Sequence, residues 1–299
     1  MGFDINSLAD FLAALVCAPF LLGVINRVKA FFAGRRGQPV LQLYYDLGKL
    51  LRKGAVYSSV SGPVFRAGPV IGLAAVTGAL LFVPAGGHGA LLGFSGDMIL
   101  FAYLLGLARF FTVCAALDTG SSFEGMGASR EAFFSALAEP ALFMPLAVLA
   151  AKTGEISLEA AFRSSSMVAG TPLLLVAAAL YLVFLAENCR IPLDDPNTHL
   201  ELTMIHEVMA LDHSGPDFAL ISYGAALKMW LLGAILARLA FPFGGMGWAA
   251  NAALFLSAML ALAVITGTVE SCMARLKMTR APAMLLSALA LGFAAFLVA

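Results

Sequence analysis

Met167 to Glu207 reads MVAGTPLLLVAAALYLVFLAENCRIPLDDPNTHLELTMIHE. Its first twenty residues, through Ala186, carry no charge. About 20 mainly apolar residues take a helix across the hydrocarbon core of a bilayer, so this half reads as a transmembrane helix. From Glu187 onward the chain crowds five carboxylates (Glu187, Asp194, Asp195, Glu201, Glu207) and two histidines (His199, His206) into a short connection. The apolar character extends outward from this stretch. The 299 residues are 61% hydrophobic and 12% charged, with mean hydropathy +0.92, where a soluble domain carries about 25% charged residues. The composition predicts an all-α polytopic membrane protein, with the lipid bilayer as its first partner. The formal net charge is zero, which gives no nucleic acid a reason to bind.

Eight candidate spans follow from length and hydropathy: 8–26, 65–84, 98–117, 132–151, 169–188, 219–239, 248–270 and 281–298. MGFDINSLAD precedes the first, with no basic region and no small-residue cleavage site, so that span reads as a retained helix rather than a signal peptide. Repeats and long linkers are absent, and 1–299 reads as a single integral-membrane domain. The first connection holds Arg27, Lys29, Arg35, Arg36, Lys49, Arg52 and Lys53; the third holds Arg130, the fifth Arg190, and the seventh Arg275, Lys277 and Arg280. The second and sixth hold none, and the fourth holds Lys152 and Arg163. The positive-inside rule then puts the odd-numbered loops, including 27–62 and 189–218, in the cytoplasm and both termini outside. Within the first loop, Val40, Leu43, Tyr44, Leu47, Leu50 and Leu51 recur at helical spacing. They predict an amphipathic helix lying in the membrane interface or docked beneath a partner.

Ionisable residues inside a span cost about 2.5–3.5 kcal/mol each on insertion scales and mark function by default. The candidates for ion coupling are Arg109, Glu139, Glu187, Lys228 and Glu270. A structural Arg109–Glu139 ion pair is the plainer alternative for the two deepest. Glu187, Glu270 and Arg238 sit near span ends, where snorkelling or capping also accounts for them. Glu139 precedes Pro140, which frees a helix carbonyl and favours a kink beside the acid. Cys17, Cys114, Cys189 and Cys272 are far apart and never grouped as cluster ligands are, so they read as small buried hydrophobes and no cofactor or metal is expected in this chain.

In the acidic connection, Thr198-His199-Leu200-Glu201 fits a capping box at the start of a helix. His199 and His206, seven apart, share a helical face. His206-Glu207 opens like H-E-x-x-H, but Ala210 stands where the second histidine belongs, which excludes the zinc-protease motif. The segment reads as a polar docking face, one that also passes protons or strain to the bilayer. Phosphate-binding loops, dinucleotide fingerprints and nucleophile elbows are absent, and no catalytic residue is assigned.

RRGQPVLQLYYDLGKLLRK, LDTGSSFEGMGASREAFFSALAEPAL, ENCRIPLDDPNTHLELTMIHE and ESCMARLKM together resemble the membrane-anchor subunit family shared by respiratory complex I (its subunit 1) and the membrane-bound NiFe hydrogenases (subunit 4 in formate hydrogenlyase). The resemblance covers essentially the whole chain. It implies a non-catalytic subunit that holds a soluble redox arm on a prokaryotic inner membrane and links it to translocation of protons or sodium. The implied partners are a NiFe-hydrogenase-like large subunit, an iron–sulfur small subunit and antiporter-like membrane subunits, with the NiFe centre and clusters in those partners. By resemblance Arg130 and Asp118 join Glu139 as coupling candidates, and Glu187, Asp194, Asp195, Glu201 and Glu207 fall in the acidic loop that faces the redox module; His199 and His206 of the same segment are the remaining interface candidates. Quinone-reducing members carry R-x-G-P-N-R-x-G in the first loop, where this chain reads GRRGQPVLQ; that departure favours the hydrogenase branch over a quinone-reducing subunit. A stand-alone ion transporter is the remaining alternative.

Overall fold

The computed structural model describes residues 5–163, 170–194, 205–241, 243 and 247–299, with the Arg163 side chain outside that set. Asp195, His199, Glu201 and the Thr198 capping box lie outside the described residues. The described chain is helical and, among those residues, contains no strand. Every expected span is present as a helix: α1 (Ile5–Phe32), α3 (Pro63–Leu80), α4 (Asp97–Asp118), α5 (Ser122–Thr153), α7 (Thr171–Glu187), α8 (Gly215–Ala240), α9 (Trp248–Cys272) and α10 (Ala281–Val298). Seven are long and apolar enough to cross a membrane, and α7 is a shorter apolar helix of 17 residues. The chain is a multi-pass membrane protein. Two short helices join them: α2 (Gln42–Leu50) in the first loop and α6 (Leu158–Arg163) in the fourth.

α8 is the most buried span, as expected of a helix apolar around its whole circumference. It packs against α3, α1, α7 and α9, while α10 fills the groove between α5 and α7, and α3 runs along α4. Apolar contact alone does not drive helices together in lipid, so close approach depends on small residues. On α3, a Cβ added at Gly68 would stand 2.8 Å from the Ala115 Cβ of α4. From Met229 to Ala237, α8 is wholly apolar and buried, between Lys228 on one side and Arg238 on the other.

α1 contains Pro19, which cannot donate to the Leu15 carbonyl four residues back. Tyr223 Oη of α8 supplies that donor at 2.8 Å, and Tyr44 Oη of α2 donates to the next carbonyl, Val16. The predicted amphipathic helix is therefore a strap tied to α1 one turn before Pro19 and lying along α1 and α8. Leu43 rests on the core, whereas Leu41, Tyr45 and Leu51 stay exposed. The loop ahead of it crosses α1 at Gly23, where any side chain would collide with the Val40 carbonyl.

Two expectations need correction. α5 begins at Ser122, ten residues before the predicted span, with the acids that depress its hydropathy there turned inward: Glu124 accepts from the Asp212 amide and Glu131 pairs with Arg109. Cys272 is exposed and Cys114 and Cys189 are only half-buried, whereas Cys17, also half-buried, packs against the core.

Candidate functional site

Arg109 lies twelve residues into α4 and faces three carboxylates. Its Nε is 3.1 Å from Glu131 Oε1 and its Nη1 3.2 Å from Glu139 Oε1, while Nη2 donates to Glu187 Oε1. A guanidinium presents five N–H donors in a planar fork, which is the chemistry needed to hold several acids at once. Glu187, the last residue of α7, brings its other oxygen within 2.9 Å of Lys228 Nζ on α8. One cluster thus ties α4, α5, α7 and α8. Cations at the C-terminal end of α7 also suit its dipole.

The chain of charges continues toward the end of the bundle that carries the basic loops. Glu131 Oε2 meets His206 Nε2 at 3.1 Å. His206 Nδ1 lies 4.0 Å from Asp194 Oδ2, within ion-pair range and beyond hydrogen bonding. Asp194 accepts from the Ile205 amide at 3.1 Å and pairs with Arg275 Nη2 at 2.8 Å. Burial alone would push the His206 pKa down; the Cys189 sulfur and the Glu131 and Asp194 carboxylates outweigh it and hold the ring well above its usual 6.5. At the far end of the chain, the Glu139 side chain is 53% exposed on the flank of α5, half-way along a membrane-length helix. The plainer reading, a single Arg109–Glu139 pair, is thus only one bond of a larger network.

Glu270 belongs to a separate group. Both its oxygens are engaged, with Lys29 Nζ at 2.7 Å and Arg190 Nη1 at 3.3 Å, and its side chain is fully buried. It pins the ends of α1 and α7 to α9. Asp118 accepts from the Phe65 amide at 3.0 Å and so holds the start of α3. Arg130 is half-buried with its guanidinium on Met126 Sδ, and Glu207 opens a 3-10 turn ending at Ala210. The structure therefore gathers Arg109, Glu139, Glu187, Lys228, His206 and Asp194, and stations Asp118, Arg130, Glu207 and Glu270 elsewhere. Glu131 belongs to the cluster and does not stand out in the sequence: it directly precedes the predicted span, next to the more conspicuous Arg130.

A cavity of about 200 Å³ adjoins the cluster, with Arg109, Glu131, Glu187, His206 and Lys228 on one wall and apolar faces of α3, α4 and α8 around it. His213 closes another part of it, stacked on Phe65 with ring centroids 3.9 Å apart; burial lowers its pKa. Among the described residues, no group of three or more His, Cys, Asp or Glu side chains is arranged to hold a metal ion.

Comparison with known proteins follows the same lines. The chain is 33% identical over 242 residues to hydrogenase-4 component C of Escherichia coli K12, covering 80% of this chain and 76% of that one. It is 30% identical over 298 residues to formate hydrogenlyase subunit 4 of the same organism, covering 97% and 96%. A chain in the structure of a membrane-bound sulfane sulfur reductase, an archaeal respiratory membrane complex, superposes with TM-score 0.82 over 100% of this chain and 99% of its own, at 22% identity, and so shares the fold. The NADH dehydrogenase family model matches residues 6–299, and the chain belongs to that family, the one that includes subunit 1 of complex I.

Proposed function

We propose that this chain is the membrane-anchor and coupling subunit of an energy-converting NiFe hydrogenase complex of the formate hydrogenlyase type. It links redox chemistry in a peripheral arm to movement of protons or sodium ions. In this reading the partners are a NiFe-hydrogenase-like large subunit and an iron–sulfur small subunit, which carry the redox centres, and antiporter-like membrane subunits. The basic loops face the cytoplasm of a prokaryotic inner membrane, and both termini lie outside. The observation that carries the reading is the continuous run of charges from Arg275 and Asp194 through His206, Glu131 and Arg109 to Glu139. One end lies where a soluble arm would dock. The other presents a half-exposed carboxylate mid-way along α5, where lipid is a poor neighbour for it and a partner helix a better one.

The test is Glu139→Gln in the intact complex, with hydrogen turnover and ion translocation measured separately. The expected result is fewer ions moved per turnover. Unchanged turnover together with unchanged translocation refutes the role of Glu139. A second reading, quinone reduction, draws on the cavity beside Lys228 and His206. It predicts quinone-dependent activity that quinone-site inhibitors abolish, and GRRGQPVLQ in the first loop speaks against it.

A further inference from the structure

A second group of ionisable side chains gathers at the opposite end of the bundle, where α1 begins, α8 ends and the 81–96 connection folds over both. His88 Nδ1 lies 2.9 Å from Asp10 Oδ2, and the two side chains are only 14% and 11% exposed. Ser7, one turn before Asp10, donates to the Gly89 carbonyl at 2.9 Å. Glu159 of α6 presses on the same connection so closely that a Cβ on Gly89 would stand 2.7 Å from its Oε1. Arg238 is buried beside Phe243, with Asp10 and Glu159 within electrostatic reach. Its Nε and Nη1 find no hydrogen-bond acceptor among the described residues. Asp97 of α4 completes the charged set, held by Ser157 Oγ at 3.0 Å and the Leu158 amide at 2.8 Å.

Buried donors without acceptors call for water. A pocket of about 10 Å³ lies between α1 and α8, lined by Ser7, Asp10, Ala14, Trp230 and Ala234 among others. That is close to the space one water occupies, and Ser7 and Asp10 offer it polar partners. The pocket lies on the seam of α1 and α8, with Asp10 itself in its wall.

We propose that Asp10 and His88 form the outlet through which protons leave the membrane interior for the aqueous phase opposite the basic loops. The proposal rests on the coupling function above. A proton reaching the Asp10 carboxylate through water in the pocket passes across the 2.9 Å contact to Nδ1 of a neutral His88 that carries its hydrogen on Nε2. The imidazolium then gives its Nε2 proton to water. Asp10 is again a carboxylate, His88 is again neutral with its hydrogen on Nδ1, and exchange with water restores the first tautomer; the net result is one proton moved. Histidine suits this relay because it has two ring nitrogens, one to take a proton and one to give it. Arg238 supplies the fixed positive charge that lets Asp10 and Glu159 stand near each other.

The test uses the whole complex in sealed vesicles whose lumen faces this end, with charge movement read from a voltage-sensitive dye during hydrogen turnover. His88→Ala is expected to slow charge movement at least about tenfold, and L-histidine, a membrane-impermeant imidazole, restores it when enclosed in the lumen but not when added outside. His88→Gln, which keeps a donor on Asp10, gives the same loss and guards against misfolding of the alanine variant. Unchanged charge movement in either assembled variant overturns the outlet, as does a loss that lumenal histidine cannot restore. A wild-type complex that turns over without moving charge refutes the coupling function, and the outlet with it.

Discussion

Removing the Arg109 guanidinium tests the central cluster most directly. Breaking a buried ion pair by deleting one partner costs about 3–5 kcal/mol, because a charge is left without compensation. Arg109 faces three acids, yet two of them keep another cation: Glu187 keeps Lys228 and Glu131 keeps His206. Glu139 loses its contact with the guanidinium but is half-exposed, which softens the loss. Arg109→Gln should therefore fall at the low end of the range, about 3 kcal/mol. Glu187→Gln should be costly for the mirror reason, leaving Arg109 and Lys228 crowded without the acid between them. Combined, the two changes remove one charge of each sign, and the double variant should be about 2 kcal/mol more stable than the sum of the singles. Thermal unfolding of the four proteins in the same detergent supplies the cycle. A coupling below about 0.5 kcal/mol, the additivity limit for independent sites, would mean that the Arg109–Glu187 contact does not organise the cluster.

The raised His206 pKa makes its contribution pH-dependent in a defined direction. The stabilisation is complete below the ordinary histidine value and is lost as pH rises through the raised one. The melting-temperature gap between wild type and His206→Gln should be largest near pH 6 and shrink on the alkaline side; a gap that grows with pH contradicts the ion pairs with Glu131 and Asp194. Beside Pro19 of α1, Tyr223→Phe strips the Leu15 carbonyl of its donor and should cost about 1–3 kcal/mol. In a Pro19→Ala background the helix amide returns to that carbonyl, and the same change should cost markedly less. Equal costs in the two backgrounds would show that the tyrosine does not serve the proline.

The spans were legible because uncharged runs such as Met167–Ala186 leave a helix no other solvent than lipid. Arg109, Glu139 and Lys228 stood out because each interrupts such a run, and Glu187 because it ends one. What sequence could not supply was pairing. Glu131 looks like one more charge at a helix entrance until Arg109, 22 positions earlier, is seen to face it. Glu270 carried the same intramembrane signal as Glu187 but meets Lys29 and Arg190 instead. The strap α2 was readable from its apolar spacing, whereas its anchorage was not, since it depends on the Val16 carbonyl in another helix, next to the one that Pro19 frees. Asp10 and His88, 78 residues apart, lie in stretches that by themselves read as a helix start and a glycine-rich turn.

The apolar run of α8 has an electrical consequence. Arg238 lies ten positions beyond Lys228 on the helix, a rise of about 15 Å, half the thickness of a bilayer's hydrocarbon core. If the cavity beside Lys228 is wet, the conducting phase reaches that far inward, and the membrane voltage drops across the remaining half. The field there is about doubled. Each elementary charge carried past Trp230 and Ile235 against 100 mV then costs about 2.3 kcal/mol of work. The back-pressure of an energised membrane is thus felt along α8, well away from the face where a redox arm would dock.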